Sequence, residues 1–329
     1  MSYLIRGLAA DGGVRVVAAD TTELVRGAVA RHGATPTAGA ALGRTLTAGL
    51  LLSHVLLKDH RDRVTIRIRG EGPLGGVIAD AGLDGSVRGY VQNPDVDLPL
   101  RDDGKLDVGA AVGKGEILVI RSHAPYGDPY SSSIDLVSGE IAEDVATFLA
   151  RSEQIASAVL LGVYYGADGE VEQAGGVILQ ALPGADEAAL AVLEANVRDF
   201  GALTNGMRRA PLLQLVEEEL TWGLGFENLT DEPLSVRFAC RCSDEKALEA
   251  LAYFTPEERA DMIAEDGGAE VVCHWCGEKR WVEPDAIRSL TAGEVRCPDC
   301  GTLWYRDGQT RIMREGELCS CGRPVDLPN

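Results

Sequence analysis

Apolar and polar positions alternate most regularly at residues 63–69. Val64, Ile66 and Ile68 sit between Arg63, Thr65, Arg67 and Arg69, the period of a half-buried strand. EILVIRS at 116–122 and VILQAL at 177–182 predict two further strands. The longest apolar stretch predicts a helix over 36–57, with Pro36 in its first turn. Gly39, Gly43, Arg44, Gly49, Ser53 and His54 interrupt that stretch, which makes it a core helix and not a membrane span. SGEIAEDVATFLARSEQ at 138–154 predicts another helix, with Ser138 as cap and acidic residues in the first turn. Residues 1–183 therefore read as one mixed α+β domain, with sheets and a long core helix.

The pattern changes after residue 183. Leu190, Leu193, Val197 and Phe200 recur at helical spacing, and Gly201 and Asn205-Gly206 then break the chain. A second helix is predicted after Pro211, with Leu212, Leu215, Val216 and Leu220 apolar and Glu217, Glu218 and Glu219 solvated. TWGLGFENLTDEPLS, rich in breakers, follows. Residues 184–238 are read as an amphipathic helical linker that rests on the first domain. Residues 239–292 form a third segment. There Ser243 caps a helix carrying Leu248 and Leu251, and Thr255-Pro256-Glu257-Glu258 is a capping box closed by Gly267.

Composition adds exclusions. The 329 residues are 45% apolar and 25% charged, an ordinary globular balance. With 31 basic and 51 acidic side chains the net charge is −20, which repels phosphate backbones and anionic lipid. Residues 240–329 carry 11 basic and 18 acidic side chains, so no basic face for nucleic acid is expected there either. The opening MSYLIRGLAADGG lacks the pattern of a signal peptide, and a cytoplasmic protein is expected.

The chemistry sits in the cysteines. All eight lie between Cys240 and Cys321, in four close pairs: CRC at 240–242, CHWC at 273–276, CPDC at 297–300 and CSC at 319–321. In a reducing compartment such pairs read as thiolate ligands for zinc, four to an ion. Gly277, Gly301 and Gly322 each follow a pair and let the chain turn tightly around a metal. Spacing alone leaves the partnership open. Cys276 and Cys297 are separated by 20 residues, as in an ordinary zinc ribbon, whereas Cys242 and Cys273 are separated by 30. His274, inside the CHWC loop, is read as a surface residue because four thiolates are available.

VRFACRCSDEKALEALAYFTPEERADMIAEDGGAEVVCHWCGEKRWVEPDAI at 236–287, with CxC, a long helical spacer and CxxC, resembles the bacterial redox-regulated heat-shock chaperones of thirty-three kilodaltons. ALGRTLTAGLLLSHVLLK at 41–58, RGEGPLGG at 69–76, SGEIAEDVATFLARSEQ at 138–154 and AGGVILQALPGAD at 174–186 carry the same resemblance through the first domain. The resemblance implies that Cys240, Cys242, Cys273 and Cys276 share one zinc. It also implies a redox switch, with disulfides Cys240–Cys242 and Cys273–Cys276 in the oxidised form. Zinc contributes about 10–16 kcal/mol to small zinc peptides, against about 5–15 kcal/mol of net stability for a protein, so losing it should unfold the module. By the same resemblance the reduced, zinc-bound protein is inactive. The oxidised protein loosens its linker, dimerises, holds unfolding client proteins without ATP and passes them to an ATP-dependent foldase.

Residues 293–329, with Cys297, Cys300, Cys319 and Cys321, stand outside that resemblance and are expected to hold a second structural zinc, the alternatives being competition for the first zinc or a role as extra redox thiols. The expected function is a non-enzymatic, ATP-independent holdase; the alternative is a constitutive zinc-ribbon adaptor without a redox response. Other motifs carry no chemistry. Gly70, Gly72 and Gly75 fit GxGxxG but precede a second strand, LGGVIADAG, and read as a turn. No βαβ context makes either CxxC a thioredoxin-like motif. Ser131, Ser132 and Ser133 with His123 lack a nucleophile elbow, and Glu140, Glu143 and Asp144 belong to a helix start.

Overall fold

The long apolar stretch and the alternating ones solve each other's burial problem: a helix apolar on every side needs a sheet on two sides. The structure, a computed structural model, describes residues 1–123, 129–291, 294–296 and 303–305. The chain divides into two units, Met1–Cys240 and Arg241–Asn329.

In the first unit β1 (Tyr3–Ala9) and β2 (Val14–Asp20) form a hairpin, followed by α1 (Thr22–His32) and α2 (Pro36–Leu56). The meander β3 (Arg63–Gly70), β4 (Gly76–Gly82) and β5 (Ser86–Val91) leads through α3 (Val108–Val112) to β6 (Gly115–Ser122) and β7 (Tyr130–Asp135). Next come α4 (Ala142–Arg151), β8 (Ser157–Tyr165) and β9 (Val171–Ala181). The helices α5 (Glu187–Phe200), α6 (Leu203–Met207) and α7 (Leu212–Leu215) follow, α7 running into a π-turn at Val216–Leu220. Three short strands close the unit: β10 (Phe226–Asn228), β11 (Leu234–Ser235) and β12 (Arg237–Phe238).

One sheet has the order β10-β1-β2-β9-β8, with β11 also on β1; the other runs β12-β5-β4-β3-β6-β7. Every pairing is antiparallel except β12 on β5. Helix α2 lies between the sheets, touching β4 and β5 on one side and β8 and β9 on the other. It is buried from Thr37 to Ser53 apart from Arg44, which pairs with Glu140 at 2.6 Å. A Cβ added at Gly43 would stand 2.6 Å from Val25 Cγ1 and 2.7 Å from Val163 Cγ2, so a missing side chain lets α1 and β8 approach the helix. The Gly70–Gly75 segment is the turn between β3 and β4, as its motif context predicts.

The segment at 138–154 departs from expectation in one respect. Its helix starts at Ala142, and the N-terminal hydrogen bonds come from Asp144 and not Ser138. The Asp144 carboxylate, fully buried, accepts from the backbone N–H groups of Val137 (2.7 Å), Ser138 (3.1 Å) and Ile141 (2.9 Å). A charged acceptor reaching three donors outcompetes a hydroxyl reaching one. Ile141 is held at φ 75°, a left-handed conformation that a β-branched residue adopts only under such constraint.

The outer face of the first sheet carries a second core. Val14, Val16, Val177 and Leu179 from the strands meet Leu193, Leu203, Leu212, Leu215 and Leu220 from the helical segment. The breaker-rich stretch does not stay a loop: β10 and β11 pair with β1, at Leu8↔Glu227 and Leu4↔Leu234 for example.

The second unit contains α8 (Asp244–Leu251), α9 (Pro256–Asp266), the hairpin β13 (Ala269–Val272) and β14 (Lys279–Val282), and α10 (Pro284–Thr291). The strands β15 (Glu294–Arg296) and β16 (Leu303–Tyr305) pair with each other. Ser243 Oγ accepts from Lys246 N at 3.3 Å, and Thr255 and Glu258 form a reciprocal capping box closed by Gly267 at φ 72°. Ala247, Leu251, Ala269, Val282, Ile287 and Leu290 build its small core. No helix among the described residues is long and apolar enough to cross a membrane.

Candidate metal centre

Cys240 and Cys242 are positioned from both sides. Upstream, Ala239 N donates to Val87 O at 2.8 Å and continues the pairing of β12 with β5. Downstream, Ser243 caps α8, and Lys246 Nζ donates to Arg241 O at 2.7 Å. Cys273 and Cys276 occupy the turn between β13 and β14. Cys276 N and Gly277 N both donate to Cys273 O, at 3.2 and 2.7 Å, and Cys273 N donates to Glu278 O at 2.9 Å. Gly277 has φ 70°, the conformation that only glycine adopts without cost and that closes this knuckle.

The two motifs, 30 residues apart in sequence, meet. One sulfur from each of Cys240, Cys242, Cys273 and Cys276 lies within 4.8 Å of the others. Cys242 Sγ and Cys276 Sγ are 3.6 Å apart. Four thiolates at about 2.3 Å from a tetrahedral zinc stand about 3.8 Å from each other, so the group has the dimensions of such a site. All four cysteines are free of disulfides; Cys276 is buried and the other three half-buried. His274 is exposed and outside the converging group. Cys297, Cys300, Cys319 and Cys321 lie outside the described residues, as does any second site they build.

One neighbour escaped the reading of the sequence. Arg280, on β14, places Nη2 3.8 Å from Cys242 Sγ and 3.1 Å from Glu278 Oε1, while Nη1 pairs with Asp244 at the start of α8. The hydrogen bonds it donates to Asp244 and then Cys242 raise its already high pKa further. Its signal in the sequence was its place in the return strand, four residues past Cys276; nothing local distinguished it from Lys279.

Two sheets clasping a buried helix, followed along the chain by four cysteines whose sulfurs converge, define a two-unit α+β protein with a thiol-rich centre. The family model described as Hsp33 protein matches residues 2–283, and the chain belongs to the Hsp33 family. It is 55% identical to a 33 kDa chaperonin of Thermus thermophilus, over 100% of this chain and 98% of that protein. It is 46% identical to the 33 kDa chaperonin of Deinococcus radiodurans, over 89% of this chain and 99% of that protein. The crystal structure of the 33 kDa chaperonin (heat shock protein 33 homolog) from Thermotoga maritima superposes with a TM-score of 0.80 at 33% identity, covering 88% of this chain and 98% of that one. The family model ends at residue 283, so the extension with Cys297 to Cys321 stands outside it as expected, while the alignment with the Thermus thermophilus protein takes in the whole chain.

Proposed function

We propose that this chaperone-family protein is a redox-regulated, ATP-independent holdase of the cytoplasm whose sensor is the centre formed by Cys240, Cys242, Cys273 and Cys276. The observation that carries the reading is the convergence of four sulfurs from two distant motifs within 4.8 Å. Bound zinc would keep the four sulfurs as thiolates and supply folding energy that a core this small lacks. A thiolate of the CxxC pair attacks hydrogen peroxide, forming a sulfenic acid and releasing hydroxide. Its partner thiolate attacks that sulfur, closing the Cys273–Cys276 disulfide and releasing a second hydroxide. Two electrons pass to the peroxide, and two of the four ligands are lost. Cys240 and Cys242 pair in the same way. The second unit then unfolds and the preceding segment loosens. Leu193, Leu203, Leu212, Leu215 and Leu220, now packed on the first sheet, become available to unfolding clients. A dimer of the oxidised form and hand-over to an ATP-dependent foldase belong to the same reading.

The test is light scattering from a chemically denatured client enzyme diluted into buffer with the protein either reduced and zinc-loaded or peroxide-treated at mild heat. Suppression by the oxidised form alone is the expected result. Equal suppression by both forms, or by neither, would reject the switch.

A further inference from the structure

We infer that Arg280 sets the oxidation threshold of the centre by hydrogen-bonding the Cys242 sulfur. This rests on the reading of the four cysteines as a metal–thiolate site. Arg280 brings a cationic donor to a sulfur of the group, Nη2 standing 3.8 Å from Cys242 Sγ. The guanidinium is aimed by two carboxylates, Asp244 on α8 and Glu278 at the end of the CxxC knuckle, and its side chain is 21% exposed. It therefore does two separable things. It clips the start of α8 to β14, and it places positive charge against one thiolate.

The second effect bears on oxidation. In the metal-loaded centre every sulfur is already a thiolate, so its reactivity depends on how much electron density it offers. A cationic N–H donor withdraws part of that density and occupies a lone-pair direction. Attack on hydrogen peroxide, in which the sulfur pair forms an S–O bond as the O–O bond breaks and hydroxide departs, is slowed. Arg280 thus makes Cys242 a reluctant nucleophile, so that once the CxxC pair is oxidised the CxC pair keeps its hold on the metal until the oxidant is abundant. Arg280 is a positioning residue: it acts through the sulfur and touches no client.

The experiment uses the full chain loaded with zinc or cobalt(II). Peroxide-driven zinc release is followed with a metallochromic dye in the wild type, Arg280→Gln, Arg280→Lys and Asp244→Asn. Arg280→Gln should release zinc roughly ten-fold faster, the scale of one charge-assisted hydrogen bond. Arg280→Lys, which keeps the charge but loses the fork, should fall between. Asp244→Asn removes the clip while Glu278 still aims the guanidinium, and should stay near wild type. In the cobalt forms Arg280→Gln should shift the thiolate-to-cobalt charge-transfer band to longer wavelength without loss of the tetrahedral ligand-field bands; Asp244→Asn should not. Release from Arg280→Gln at the wild-type rate would overturn the inference. Equal acceleration in Asp244→Asn would also overturn it, leaving only a clip. If Arg280→Gln fails to load metal, Arg280→Lys against wild type decides by the same two readouts. If the wild type keeps its zinc under peroxide, the switch reading falls, while the cobalt band still tests Arg280.

Discussion

Near the C-terminal end of α2, His54 is half-buried, with both ring nitrogens buried and neither hydrogen-bonded. Burial, reinforced by the nearby Arg6 guanidinium, pushes its pKa down from 6.5 to about 4. The folded protein thus prefers the neutral imidazole, and the unfolded chain takes up the proton first as pH falls. The stabilising effect is complete above about pH 6.5 and is lost on acidification toward 4, by about 3 kcal/mol in all. Urea unfolding of the first unit should therefore fall off less steeply between pH 6.5 and 4 in His54→Leu than in the wild type. Parallel curves would show that His54 does not titrate with folding. Asp144 tests the opposite case, a buried charge with its partners in place. Truncation in Asp144→Ala leaves the N–H groups of Val137, Ser138 and Ile141 without their acceptor. It should lower the urea-derived stability of the reduced, metal-loaded protein by about 3 kcal/mol or more. A loss below about 1 kcal/mol, the size of a surface change, would mean that water replaces the carboxylate.

Among the elements, α9 depends on its cap. Thr255 N donates to Glu258 Oε2 at 2.8 Å and Thr255 Oγ1 accepts from Glu258 N at 3.2 Å. Removing the hydroxyl in Thr255→Ala should destabilise the helix by about 1 kcal/mol, read as roughly five-fold faster amide exchange in α9. Unchanged exchange would assign the helix start to Pro256 alone. That box was legible because capping is local: its donors and acceptors lie within three residues of each other. The helix at Pro36–Leu56 and the strand at Arg63–Gly70 were legible for a similar reason, their burial pattern repeating over several turns or alternations. The strands β10, β11 and β12 were not. They are two or three residues long, too short for any period, and they exist because β1 and β5, far away in sequence, offer free edges. Ser138 misled for a related reason, since an equally local hydroxyl was displaced by a carboxylate further along the chain. At the centre, the cysteines were legible as candidate ligands, but spacing alone did not fix their grouping. Spacing favoured Cys273 and Cys276 with Cys297 and Cys300, and the resemblance favoured Cys240 and Cys242. In the structure the sulfurs of Cys240, Cys242, Cys273 and Cys276 lie within 4.8 Å of one another, the grouping that the resemblance implies.

For the whole molecule, the two units are built with very different reserves. The first has a core wrapped around α2 and a second core on the outer face of its first sheet. The second has a single small cluster, from Ala247 to Leu290, among the described residues. A unit with so few buried side chains reaches ordinary stability only with a staple, and a four-thiolate metal site is one. The metal and the redox state of the cysteines should therefore be two routes to one structural result. Chelation of the reduced protein should abolish the near-ultraviolet signal of Trp275 and Trp281 and the exchange protection of α8 and α9, while protection in α2 and β3 persists. Peroxide treatment should give the same pattern without a chelator. The two forms then differ in how they are reversed. Zinc alone should restore the chelated form. The oxidised form should need a reductant first, and reductant without zinc should leave the second unit unfolded, because free thiols do not replace the ion. Refolding by reductant alone in metal-free buffer would show that the thiol-to-disulfide change, and not ligand loss, carries the transition. Exchange protection in α8 and α9 after each of the four treatments, followed by mass spectrometry, separates the two.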